Sequence, residues 1–355
     1  MSPPNCTGAN YCDQLDLELQ SLRRLTAATV AWAAHVAAGA LAVATNSLTL
    51  LVIAREKELH GRCYLLVFQL AVADLLVGLS YVVVAGQRLA HVALGMGEVS
   101  CQMGCAFRLW LPVFSQAASI SLALAIALDR CAATFRPLTY YAGRWRRSVA
   151  ALSLFAWSYS LADSALLFAG VSAEDLLPNC FLVLLPAYNR IQSRHRLAQV
   201  VVVVLLYALI VVETWRRIHN TRRGSVYRIK KQLGTKVTKM LAVMSLFYLL
   251  TQLTSRLGFA ILAWMESGWR TKVGPFIRIL PILNSAVNFF IYLRYSSIFK
   301  AAFQKVFQRE ARSDVSRNTQ QRQHVSLPLE TLGRPRERSL TPSLRFHVNM
   351  SRTSL

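Results

Sequence analysis

Leu122 to Pro137 reads LALAIALDRCAATFRP. An apolar run ends in an adjacent acid and base, Asp129 and Arg130, and a proline closes the segment seven residues later. A charged pair is expensive to bury, so this one belongs where a membrane meets the cytosol. It is there either as a solvated helix end or as a switch.

The 355 residues are 54% apolar with a mean hydropathy of +0.36, too apolar for an ordinary soluble domain. Seven largely apolar windows recur near 27–54, 63–86, 104–128, 148–170, 197–215, 240–264 and 273–293. Each has roughly the 20 residues needed to cross a hydrocarbon core. Lipid offers no partner to a backbone amide, so such spans are helices. The expected fold is an all-α membrane protein, a seven-transmembrane bundle over 27–295. An N-terminal segment over 1–26 precedes it, an amphipathic eighth helix over 296–308 follows, and a disordered tail occupies 309–355.

The first 26 residues lack an apolar core behind a basic start, so no cleaved signal peptide is expected. Most of the +23 charge lies in the connections 55–62, 136–147 and 216–239 and after 294. Cytoplasmic loops are enriched in Lys and Arg, which places these segments in the cytosol and the N-terminus outside, in a multi-pass plasma-membrane protein. The same rule accounts for the basic pI, so no nucleic-acid partner is implied.

Several polar residues interrupt the spans. Asp74 lies in LAVADLL, and an intramembrane carboxylate is a functional candidate by default. Ser119, Asn284, Ser285 and Asn288 fall at comparable depth, an oxygen set suited to sodium or to a water cluster. Arg108, Pro112, Ser115, Ser119, Ile126 and Arg130 share one stripe of the third helix. Arg256 and Arg278 either line a cavity with an anionic partner, reach the outer interface, or pair with Asp163 or Glu266. Asn5-Cys6-Thr7 is a glycosylation sequon on the outer side, and Cys6, Cys12, Cys101, Cys105 and Cys180 are external, which leaves one cysteine over. Thr353-Ser354-Leu355 ends in an apolar residue that a PDZ domain could take.

In order along the chain, Asn46, LAVADLL around Asp74, Asp129-Arg130-Cys131, Trp157, Tyr207 and Asn288-Phe-Phe-Ile-Tyr292 resemble the signatures of the rhodopsin-like (class A) G-protein-coupled receptors. The resemblance covers about 27–308. It implies a Cys105–Cys180 disulfide, with Cys101 as the extra thiol. It also implies an activation switch of Asp129, Arg130, Tyr207, Asn288 and Tyr292, in which Asp129 holds Arg130 until Tyr207, Tyr292 and a heterotrimeric G protein take it. Asp74, Ser119, Asn284, Ser285 and Asn288 become a candidate allosteric sodium site, and no other cofactor is expected.

The sequence departs from the family in helix 6, where Thr251 and Leu253 stand in place of a tryptophan and a proline, and in helices 5 and 7, which lack their usual prolines. Straighter, better-bonded helices are the expectation. Pro112 occupies the place of the amine receptors' aspartate. With Gln116 and the arginines Arg108, Arg256 and Arg278, it outlines a pocket for an anionic lipid, organic acid or acidic peptide. Arrestin is a further candidate partner at the tail. The alternatives are a constitutively active, ligand-free receptor and a transporter or channel, though no internal repeat supports the latter. No nucleophile-base or metal constellation points to an enzyme.

Overall fold

The computed structural model describes residues 9–95, 100–136, 140, 145–169, 176–177, 186–220, 243–244, 246–264 and 267–308. Seven long helices follow one another: α1 (Ala9–Arg55), α2 (Arg62–Ala93), α3 (Gln102–Phe135), α4 (Trp145–Ala165), α5 (Pro186–Asn220), α6 and α7 (Ser267–Tyr295). In α6, helical residues 243–244 and 246–248 run into a π-turn, Leu249–Leu253, and then the α-helix Thr254–Trp264. The last described helix, α8, spans 297–308. Besides the helices there is a two-residue antiparallel pairing of Ser100–Cys101 with Leu176–Leu177.

Six described stretches are long and apolar enough to cross a membrane: Thr26–Arg55, Tyr64–Ala93, Gln102–Phe135, Arg147–Phe168, Arg194–Arg216 and Phe276–Tyr295. With α6 they make a seven-helix membrane bundle. Large apolar side chains such as Leu154, Phe155, Leu205 and Ile261 lie exposed on its outside. In water that much exposed apolar surface would mark an aggregation hazard, whereas in a bilayer it is the surface that lipid covers. The helix start at Ala9 lies upstream of the apolar span. The polar character of 9–25 had marked those residues only as a segment outside the bundle.

Inside the bundle, helices meet where small residues let backbones approach. A Cβ added at Gly78 of α2 would sit 2.7 Å from the carbonyl oxygen of Gly39 in α1 and 2.9 Å from the Val43 nitrogen. Asn46 then ties α1 to α7, its Nδ2 donating to the Ser285 carbonyl at 3.0 Å and to its own helix at Ala42, 2.8 Å. In α4, Trp157 Nε1 donates to Gln69 of α2 at 3.2 Å. These polar ties use groups that lipid could not satisfy, so each one also fixes which face of the helix turns inward.

At the Asp129 end, α8 continues the core. Phe299, Ala302 and Val306 are buried, with Phe299 packed on Tyr292 and Phe289, while Ile298 of the expected apolar stripe is exposed. Ser296 caps this helix by accepting from the Phe299 amide at 3.2 Å and also meets the Tyr64 hydroxyl at 3.2 Å. Lys305 donates to Glu58 at 3.1 Å and bridges to Glu56 at 3.2 Å. Glu58 first, then Glu56, hold its ammonium above the ordinary lysine range. A raised folded-state value means the pairing is complete below the usual lysine range and fades only as pH rises beyond it. Lys305 is therefore charged at neutral pH.

Gly78→Ala should lower the thermal unfolding midpoint, because overpacking a backbone contact costs roughly 1–3 kcal/mol. Gly86→Ala in the same helix, where an added Cβ meets nothing within 4 Å, should not. Equal midpoints for the two variants would show that the α1–α2 contact is not tight.

Candidate functional site

A single buried carboxylate organises the middle of the bundle. Asp74 on α2 is fully buried, and Oδ1 accepts from the hydroxyls of Ser119 on α3 and Ser285 on α7, both at 2.7 Å. Oδ2 accepts from Asn288 Nδ2 of α7 at 2.9 Å. An ionised carboxylate taken out of water without partners costs several kcal/mol, so three donors from two other helices fix how α2, α3 and α7 are placed. Asn284, the remaining member of the expected oxygen set, is turned toward helix 6, where its Oδ1 accepts from Thr251 Oγ1 at 3.2 Å.

That contact lies at the departure noted in the sequence. Where the missing proline led to an expectation of a straighter, better-bonded helix, α6 carries a π-turn at Leu249–Leu253. Thr251 at its centre also donates to the Phe247 carbonyl at 2.8 Å, and hydroxyls that bond back to the preceding turn compete with the α-helical ladder. A π-turn inserts a residue into the helical register and is a frequent mark of a functional position. Beside it, the buried Tyr248 hydroxyl has no hydrogen-bond partner among the described residues. It lines a small cavity with Ser119, Tyr207, Asn284 and Asn288.

At the Asp129 end, Arg130 is ion-paired to Asp129, with Nε donating to Oδ2 at 3.0 Å. Asp129 is fully buried while Arg130 keeps 20% of its side chain exposed. Tyr140 completes the arrangement, with its hydroxyl accepting from Arg130 at 2.9 Å and donating to Asp129 Oδ1 at 3.1 Å. Tyr207 is buried among Val200, Val203, Ile210 and Tyr248, and Tyr292 packs on Phe299. Pro137 lies outside the described residues. Tyr140 was missed because a lone tyrosine after a proline carries no periodic signal.

The opposite end is dominated by arginine. Arg196 on α5 is 3% exposed and donates to Gln116 Oε1 and to the Val113 carbonyl, each at 3.3 Å. It faces Asp163 of α4 at 3.6 Å, while His195 approaches the same carboxylate at 3.8 Å and bonds the Tyr159 hydroxyl. Asp163 thus faces two basic residues of α5. Gln116 passes the network on, its Nε2 donating to the Tyr81 hydroxyl at 2.7 Å.

Tyr81 lies in the electrostatic field of Arg278, Arg196 and Arg256, and Arg88 in that of Arg108 and Arg278. Arg88 also sits over the Trp32 ring at 5.9 Å, and Trp32, His35 and Tyr81 follow as an aromatic row. The carbonyl of Pro112 accepts from Ser115 at 3.2 Å within α3. The structure therefore gathers Arg108, Gln116, Arg256 and Arg278 at one end and adds Arg88, Arg196 and Tyr81. Arg88 and Arg196 escaped sequence reading because apolar windows stop where charge begins, and both sit just past a window edge.

Cys105 is disulfide-bonded, and Cys101 carries a free thiol that accepts from the Gly104 amide at 3.3 Å. Cys180, Asn5, Glu266, Thr353 and Leu355 lie outside the described residues.

This geometry coincides with a known pattern. Residues 45–292 match the family model of the seven-transmembrane receptors of the rhodopsin family. Among curated proteins the chain is similar to sphingosine 1-phosphate receptor 2 of Mus musculus, 26% identical over 280 residues that cover 78% of this chain and 72% of that receptor. It is also similar to the same receptor of Rattus norvegicus, 25% identical over 280 residues with the same coverage. The match spans the helices that carry Asn46, Asp74, Arg130 and Tyr292, and the chain belongs to the rhodopsin family of seven-transmembrane receptors, multi-pass membrane proteins that are receptors and not enzymes.

Proposed function

We propose that this receptor transmits the binding of an anionic extracellular ligand to a heterotrimeric G protein, with its N-terminus outside the cell and the Asp129 end in the cytosol. The observation that carries the ligand class is the concentration of Arg88, Arg108, Arg256 and Arg278 around Tyr81 and Trp32. At the same end Arg196 and His195 face Asp163. Guanidinium groups present forked donors that a carboxylate or phosphate accepts as charge-assisted hydrogen bonds. The relatives are named for a phosphate-bearing ligand, which supports the same class.

On the cytosolic side, Asp129 and Tyr140 hold Arg130 in the resting state, and releasing Arg130 toward Tyr207, Tyr292 and the G protein is the output. Asp74, Ser119, Ser285 and Asn288, with Asn284 one contact away, fit a sodium ion: one carboxylate and neutral oxygens in a buried, polar setting. Cys105–Cys180 pairing, a glycosylated Asn5, and arrestin and PDZ contacts over residues 309–355, the latter through Thr353 and Leu355, belong to the same reading.

Two measurements test it. In membranes, G-protein nucleotide exchange driven by acidic probes, beginning with sphingosine 1-phosphate against unphosphorylated sphingosine, should lose roughly ten- to hundredfold in potency in Arg278→Ala and Arg108→Ala. A response to neutral or cationic probes alone, or unaltered potency in both variants, contradicts the anionic pocket. Tyr140→Phe removes one charged hydrogen bond on each side of the lock, so basal exchange should rise, by up to roughly tenfold. Unchanged or lower basal exchange would mean that Tyr140 does not restrain Arg130.

A further inference from the structure

A second small cavity lies beside the serines that bind Asp74. Gln116, Ser119, Gln252 and Ser285 line it together with apolar residues of α2, α3 and α7, so α2, α3, α6 and α7 all contribute. Ser119 and Ser285 are the two hydroxyls bound to Asp74 Oδ1. Each has one proton and has spent it on the carboxylate, which leaves its oxygen lone pairs for another partner.

Gln252 comes from the π-turn of α6. It is 4% exposed, and its Oε1 has no hydrogen-bond partner among the described residues. Neither serine can supply one, for the reason just given. A buried amide oxygen left without a donor costs roughly 1–3 kcal/mol. Two serine oxygens whose protons point to Asp74 and one amide oxygen face the cavity, a single hydrogen bond away from a negatively charged carboxylate. Such a set suits a small, hard, monovalent cation better than a divalent one, which would want more carboxylates.

We propose that Gln252 Oε1 is a direct ligand of the cation held at Asp74, so that helix 6 enters the cation site through an amide oxygen presented by the π-turn. The π-turn has a purpose in this arrangement: an extra residue in the register lets neighbouring positions face inward together, with Thr251 on Asn284 and Gln252 on the cavity. Cation binding then holds α6 to α2, α3 and α7. The inference rests on the sodium reading of Asp74.

The test is the thermal unfolding midpoint of the purified receptor in detergent, titrated with sodium chloride while choline chloride keeps ionic strength constant. Native receptor should show a saturable rise in midpoint with sodium, and Asp74→Asn should abolish it. If Asp74→Asn keeps the rise, the sodium reading itself fails. If Asp74→Asn abolishes it, Gln252 decides the inference. Gln252→Leu and Gln252→Met, which remove the oxygen, should raise the half-saturating sodium concentration about tenfold or more. Gln252→Glu, which keeps the oxygen and adds charge, should lower it. Half-saturation equal to native in Leu or Met, even with a midpoint shifted uniformly at all salt concentrations, would assign Gln252 to a water and overturn the proposal. If neither apolar variant folds, an unchanged half-saturation in Gln252→Glu overturns it as well.

Discussion

Everything in the middle of this receptor depends on the cost of a buried carboxylate. Asp74 stands on an apolar helix in a place where water cannot solvate it, and its stability comes from Ser119, Ser285 and Asn288. Those donors sit on α3 and α7, so satisfying one side chain sets the relative placement of three helices. Asn46 adds α1 through the Ser285 carbonyl. Removing any one donor would leave a buried carboxylate oxygen short of a hydrogen bond, which penalises small rearrangements of the three helices.

Helix 6 joins this unit in an unusual way. Without a proline to break its hydrogen-bond ladder, it acquires an irregularity from Thr251, whose hydroxyl bonds both the preceding turn and Asn284. The π-turn therefore supplies a local weak point where a proline would otherwise supply one. Above it, Arg256 lies in the electrostatic network around Tyr81; below it, Tyr248 packs with Tyr207. The same five residues thus stand between the arginine-rich end and the end that holds Arg130.

The number of spans, the position of Asp74 and the pairing of Asp129 with Arg130 were legible in the sequence because each follows from the incompatibility of charge with lipid. The same logic found Arg108, Arg256 and Arg278. It did not find Arg196 and Arg88, since these sit where apolar runs give way to charge and look like helix ends, although 3% and 8% exposure shows them packed inward. Nor could it name Arg196 as a neighbour of Asp163, for which the sequence offered Arg256 and Arg278. Tyr140 and the π-turn were invisible for a related reason: both go with side-chain contacts, Tyr140 with Asp129 and Arg130 and Thr251 with Asn284, that depend on tertiary placement. The absence of proline in α6 predicted a regular helix, and a threonine hydroxyl with a partner on α7 outweighed that local preference.

Coupling of helix 6 to the Asp74 network is the central claim, and amide hydrogen exchange reads it without a ligand. Exchange is followed across residues 247–256 in the native receptor and in Asp74→Ala, with residues 150–156 of α4 as the internal reference. The account predicts faster exchange at the π-turn in the variant, on a helix with no hydrogen bond to Asp74 among those described, and unchanged exchange in α4. Equal rates at 247–256 in the two proteins, or a rise of the same size in α4, would contradict it.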